Sequence, residues 1–194
     1  MNNVSFQSRI RPVTRNEFGR ITSGFGKKNF VDFPWTLKES VLSDKAYTRD
    51  VADCTVCGIT DGLKVLLIHL SPVNKANQEF DKVVNFIKSK LDLANPDLQA
   101  ILIGGKPSCT HGSESYCLFE KFEKFLSDSK IVFSKLKGGM GTKDVAYSST
   151  TDEWLIASDN MKPLNPMVYT SPEAVLKQNF SEVVISSEDN ASWF

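Results

Sequence analysis

From residue 51 onward, the apolar positions fall into short β-type runs and helical stripes separated by turn residues. Residues 51–59 and 63–70 are rich in β-branched and aliphatic side chains. They flank Thr60-Asp61-Gly62, whose Asp-Gly step predicts a tight hairpin. Phe80, Val83, Val84, Ile87 and Leu91 recur at helical spacing and predict an amphipathic helix over 74–93. A short apolar strand, 98–103, closes on Gly104-Gly105. Leu118, Phe119, Phe122, Phe125 and Leu126 mark the buried side of a second helix over 116–126. Strands follow at 130–136, ended by Gly138-Gly139, then at 144–148 and 154–158. The order β-β-α-β-α-β-β-β predicts an α/β fold, a layered mixed β-sheet sandwich packed with two main helices.

The flanks are less regular. Residues 1–35 mix Pro12, Gly19, Gly24, Gly26 and Pro34 with Phe18, Phe25, Phe30, Phe33 and Trp35. They show no sustained period, so an irregular N-terminal arm is expected there and the main domain over 36–160. Beyond it come Pro163, Pro166 and Pro172. Ser171-Pro172 suits the start of a short helix near 172–179, so 161–194 is expected to be a tail packed on the domain.

Composition narrows the classes without choosing among them. Apolar residues make up 41% and charged residues 24% of 194, which is globular and excludes wholesale disorder. Lys plus Arg and Asp plus Glu each total 23, a balance that argues against a general binder of nucleic acid or membrane surfaces. No apolar run is long enough to cross a bilayer, and the first residues lack the pattern of a secretory signal. The expectation is a soluble protein made in the cytoplasm, with its four cysteines as thiols. Positive charge gathers in residues 1–28 and negative charge in the last 24, which reads most simply as two solvated ends.

The hairpin brings in chemistry. With Asp61 and Gly62 as the turn, Cys57 faces Leu66 and Cys54 faces His69 across the two strands. Opposed residues share one face, with Cβ atoms about 4.5–5.5 Å apart. A thiol beside an imidazole is a nucleophile with its base: the imidazole takes the thiol proton and can return it to a leaving amine. A third group normally orients the ring. Thr48, six positions before Cys54, points to the same face of an extended strand; Asp50 shares that parity, and Asp53 points away. The plainer reading is a small buried cysteine beside a hydrogen-bonded core histidine. Against it stands scarcity, since one of only two histidines falls opposite a cysteine.

Cys54-Thr-Val-Cys57 has zinc-type spacing, with Cys109, His111 and Cys117 downstream. Inside a strand, however, that odd separation sends the two thiols to opposite faces, so no metal or cofactor is expected and Cys57 is assigned to the core. Cys109 and His111 lie in a Ser/Thr/Gly-rich loop and are expected at the surface. The paired glycines read as turns, or as places where backbone approaches a bound chain or a neighbouring strand.

Taken together these residues resemble the CheD family of chemoreceptor glutamine deamidases and the catalytic domains of cytotoxic-necrotizing-factor-type deamidating toxins. The resemblance rests on Thr48, Val51-Ala52-Asp53-Cys54, the Asp61-Gly62 turn and His69-Leu70-Ser71-Pro72. Ala100 to Gly105, 131–139 and Thr151-Asp152-Glu153-Trp154 follow in the family's order, so the match spans about 45–158. Ala52-Asp53 replaces the family's Gly-Ser, the Gly-x-x-Asn element after Gly105 is absent, and Gly141-Thr142-Lys143 replaces Gly-Arg. Ala-Asp-Cys is also similar to a related family of purine nucleoside enzymes, whose His-x-Gly-Trp segment is missing here.

The resemblance implies a CheD-like fold and a cofactor-free protein-glutamine deamidase. Cys54 would be the nucleophile, His69 the base and acid, and Thr48 the residue that orients His69. The implied partner is a protein carrying a reactive glutamine, and an amine intercepting the thioester would make the same site a transglutaminase. The changed motifs suit a diverged bacterial effector or toxin, cytoplasmic or translocated into a host cell. Two rivals stand beside it: a catalytically silent protein-binding module of the same fold, and a small-molecule or nucleoside hydrolase.

Overall fold

The computed structural model describes residues 8–32, 37, 40–72, 79–104, 112–137 and 142–158. Ten strands and three α-helices are found there. In order they are β1 (Arg9–Val13), α1 (Arg15–Thr22), β2 (Phe30–Val31), β3 (Val41–Ser43), β4 (Lys45–Val51), β5 (Thr55–Thr60), β6 (Val65–Leu70), α2 (Phe80–Lys90), β7 (Gln99–Gly104), α3 (Gly112–Asp128), β8 (Val132–Lys137), β9 (Lys143–Ser148) and β10 (Glu153–Ser158). The fold is mixed α/β.

The strands form two five-stranded sheets, β1-β10-β9-β4-β2 and β3-β6-β5-β7-β8. Their facing sides share a core that includes Ala46, Val51, Val56, Val65, Leu67, Ile101, Val145, Tyr147 and Trp154. Helices α2 and α3 cover the outer side of the second sheet through Val83, Ile87, Leu118, Phe119 and Phe122, packed on Cys57, Ile59, Ile68 and Leu102. Strands β5, β6 and β7 are therefore buried on both faces, which is why they read as continuous apolar runs rather than alternating ones. None of the helices described is long and apolar enough to cross a membrane.

Three local expectations change. Residues 8–32 are not an irregular arm. Strand β1 pairs in parallel with β10, β2 pairs in parallel with β4, and α1 buries Phe18 against Ala146, Leu155 and Ala157 on the outer side of the first sheet. The overlooked signal is the capping box Thr14-Arg-Asn-Glu17: the Thr14 hydroxyl accepts the Glu17 N–H at 3.2 Å and starts a helix that has few apolar residues of its own.

The second change is the 51–59 run, which is not one strand. Strand β4 ends in the first sheet at Val51, the chain bends through 52–54, and β5 begins in the second sheet. The helix expected over 74–93 is found over Phe80–Lys90. The expected tail, Gly105, Gly138-Gly139, Cys109 and His111 lie outside the described residues.

The hairpin register also differs from expectation. Thr60 pairs with Val65, so the turn has four residues, Asp61 to Lys64. The Asp61 carboxylate accepts the N–H groups of Leu63 and Lys64 at 2.9 and 2.8 Å, and the Thr60 hydroxyl donates to the Lys64 carbonyl. These bonds stabilise a wider turn than a two-residue Asp-Gly loop. Pairing slips by two residues, which preserves the faces but puts Val56, not Cys54, opposite His69.

Candidate active site

His69 projects from β6 on the side of Val65 and Leu67, into the layer between the sheets, and is fully buried. Thr48 projects from β4 of the other sheet into the same layer. Its Oγ1 lies 2.7 Å from His69 Nδ1 and 2.7 Å from the Val31 carbonyl of β2. A hydroxyl has one proton to donate, and a carbonyl can only accept. Thr48 therefore donates to Val31 and accepts from His69, so Nδ1 carries the imidazole proton. Nε2 is left with its lone pair, the arrangement required of a base.

Electrostatics agree that the ring is neutral. Burial lowers the His69 pKa to about 4, against a smaller opposing pull from the carboxylates of Asp32 and Asp50. The ring is neutral at pH 7. Thr48 thus meets His69 as anticipated, but not by the strand parity first invoked, since Thr48 and Cys54 lie on opposite sides of the crossing between sheets. The backbone acceptor, Val31, carries no side-chain signal in the sequence.

Cys54 sits in the bend between β4 and β5 and is only 1% exposed. It belongs to the inter-sheet core with Val56 and Val51. Val56 is the residue opposite His69, and Cys54 lies two residues before it in the bend, outside the ladder, which ends at Thr55–Leu70. Asp53 does not point away as strand parity predicted: the bend brings its Oδ1 to 4.0 Å from Cys54 Sγ. Asp50 also departs from parity, because a β-bulge between Thr48 and Val51 turns its side chain outward to 74% exposure.

Gly104, at the end of β7, has a role now visible in contacts. Its φ is 141°, and a Cβ there would lie 2.6 Å from the Cys54 carbonyl oxygen and 2.9 Å from Thr55 Cα. Only glycine lets β7 close against the backbone that carries Cys54. Cys57, by contrast, faces the helices, where burial pushes its thiol pKa far up. The C-x-x-C pair is therefore split between two cores.

No protein-family model and no curated protein matches the chain. The functional reading accordingly rests on the site itself.

A groove of about 450 Å³ lies elsewhere, between α2 and α3, where Phe80, Val84 and Phe125 meet Lys88, Lys121 and Lys124. Asp81, Asp128 and Ser129 complete its lining, and the second sheet separates it from His69.

Proposed function

We propose that the protein is a cysteine-dependent amidohydrolase that deamidates a glutamine side chain of another protein. The observation that carries this is the Val31–Thr48–His69 chain of hydrogen bonds, which holds a buried neutral imidazole as its Nδ1–H tautomer in the layer shared with Cys54. In this reading Nε2, the far nitrogen of the ring, is the atom that serves the Cys54 thiol.

In the proposed cycle Cys54 Sγ attacks the carboxamide carbon as its proton passes to His69 Nε2. The tetrahedral intermediate collapses when His69 returns the proton to the leaving nitrogen, giving ammonia and a thioester. Water, deprotonated by His69, cleaves the thioester to glutamate and restores the thiol. An amine in place of that water gives transglutamination. Because His69 is neutral at rest, it acts as a general base rather than as the cation of a preformed ion pair.

A second reading has one observation behind it. Cys54 and His69 are 1% and 0% exposed, as expected of a core pair in a catalytically silent binding module.

Iodoacetamide alkylation of each cysteine against pH, followed by mass spectrometry in wild type and His69→Ala, separates the two readings. The enzyme reading expects Cys54 alkylation to be faster in wild type than in His69→Ala wherever the imidazole is neutral and free to take the thiol proton, with Cys57 silent. A Cys54 that behaves like Cys57 in the wild type overturns it and favours the binding module.

A further inference from the structure

We propose that α1 positions Cys54, acting through Arg15, Asp144 and the bulge in β4; the catalytic meaning of this rests on the reading of Cys54 as nucleophile. Strand β4 follows β9 in regular register to Thr48–Val145. The next pair is Val51–Lys143, so β4 advances three residues while β9 advances two. One extra residue reverses the in–out alternation. Ala46 and Val51 both enter the inter-sheet core and Asp50 faces out; without the bulge Asp50 would turn inward and Val51 outward.

Both bulge residues are tied to α1 or to its partner on β9. Asp50 adopts a left-handed φ of 56°, which aspartate tolerates better than most residues, and its N–H donates to Asp144 Oδ1 at 3.0 Å. Asp144 is 3% exposed. Burial raises its pKa, and the Asp50 N–H and the Arg15 charge oppose that rise. Arg15, the first residue of α1, lies 3.5 Å from Asp144 Oδ2 and 3.5 Å from Asp50 Oδ1, and donates to the Thr142 carbonyl at 3.0 Å. The Arg49 guanidinium lies 5.8 Å from the Phe18 ring centroid and 6.0 Å from that of Tyr47, and donates to Thr22 Oγ1 at 3.4 Å.

Cys54 follows Val51 by three residues, through the bend that carries the chain from the first sheet to the second. The phase in which the chain leaves β4 therefore decides whether Cys54 arrives in the layer that holds His69. Arg15 and Asp144 are positioning residues in this scheme. They fix the bulge, and the bulge fixes the thiol.

The test compares wild type, Asp144→Ala, Asp144→Asn and Arg15→Ala as full chains. Asn keeps an oxygen for the Asp50 N–H; Ala does not. NMR follows hydrogen exchange of the Asp50 amide, contacts of the Val51 methyls with buried methyls, and the Cβ shift of Cys54. Alkylation reads the same variants against pH. The expected result is loss of Asp50 amide protection and of the Val51 contacts, a moved Cys54 signal, and a tenfold or greater loss of His69-dependent Cys54 alkylation in Asp144→Ala, with near wild-type behaviour in Asp144→Asn. Arg15→Ala should shift in the same direction and serves if Asp144→Ala does not fold. An intact bulge in both alanine variants, or a lost bulge with an unmoved Cys54, overturns the inference. A wild-type Cys54 without His69-dependent reactivity overturns the enzymatic reading alone, and the NMR arm still decides the positioning role.

Discussion

A neutral buried imidazole should make folding pH-dependent in a window set by His69. In the unfolded chain the ring takes up a proton near its ordinary 6.5; in the folded protein it refuses one until about 4. Between those values the unfolded state binds more protons, so stability is full above pH 6.5 and falls as pH drops toward 4. The gap between the two pKa values corresponds to about 3 kcal/mol, most of which is gone at pH 4.5.

His69→Asn removes the titration but keeps an amide N–H that can donate to Thr48. The measurement is urea unfolding of both proteins from pH 7.5 to 4.5 at constant ionic strength. Carboxylate titrations common to both cancel in the difference. The wild type should lose about 2–3 kcal/mol more than the variant across that range. Parallel stability curves would refute the neutral-imidazole argument. A wild type that gains on the variant as pH falls would show that His69 is charged in the fold.

Two further predictions bear on the same site. Thr48→Val removes a buried hydroxyl and leaves both the Val31 carbonyl and His69 Nδ1–H without their bonds, so stability should fall by about 2–5 kcal/mol, with Thr48→Ser restoring most of it. Nitrogen chemical shifts of the imidazole should show the Nδ1–H tautomer in wild type and Thr48→Ser, and its loss in Thr48→Val; a Val variant with unchanged tautomer contradicts the assignment. Gly104→Ala places a methyl 2.6 Å from the Cys54 carbonyl at a φ that L residues avoid, and should cost at least about 2 kcal/mol in urea unfolding while moving the Cys54 signals. An Ala variant of wild-type stability would mean that the close approach is easily relieved.

The sequence by itself determined the elements whose signals are local. Continuous apolar runs marked β5, β6 and β7, helical stripes marked α2 and α3, and odd spacing separated Cys54 from Cys57. It also singled out Thr48, Cys54 and His69, although the hairpin register and strand parity that joined them there are not the ones the fold uses. What the tertiary structure decided depends on side chains competing for backbone groups and on contacts far apart in the chain. The Asp61 carboxylate widened the hairpin turn and slid the register by two, moving His69 opposite Val56. The bulge at Arg49-Asp50, held from α1, reversed the parity that had sent Asp50 inward. The carbonyl of Val31, which fixes the tautomer of His69 through Thr48, belongs to every residue alike. No side-chain pattern announces it, and only the parallel pairing of β2 with β4 brings it to the site.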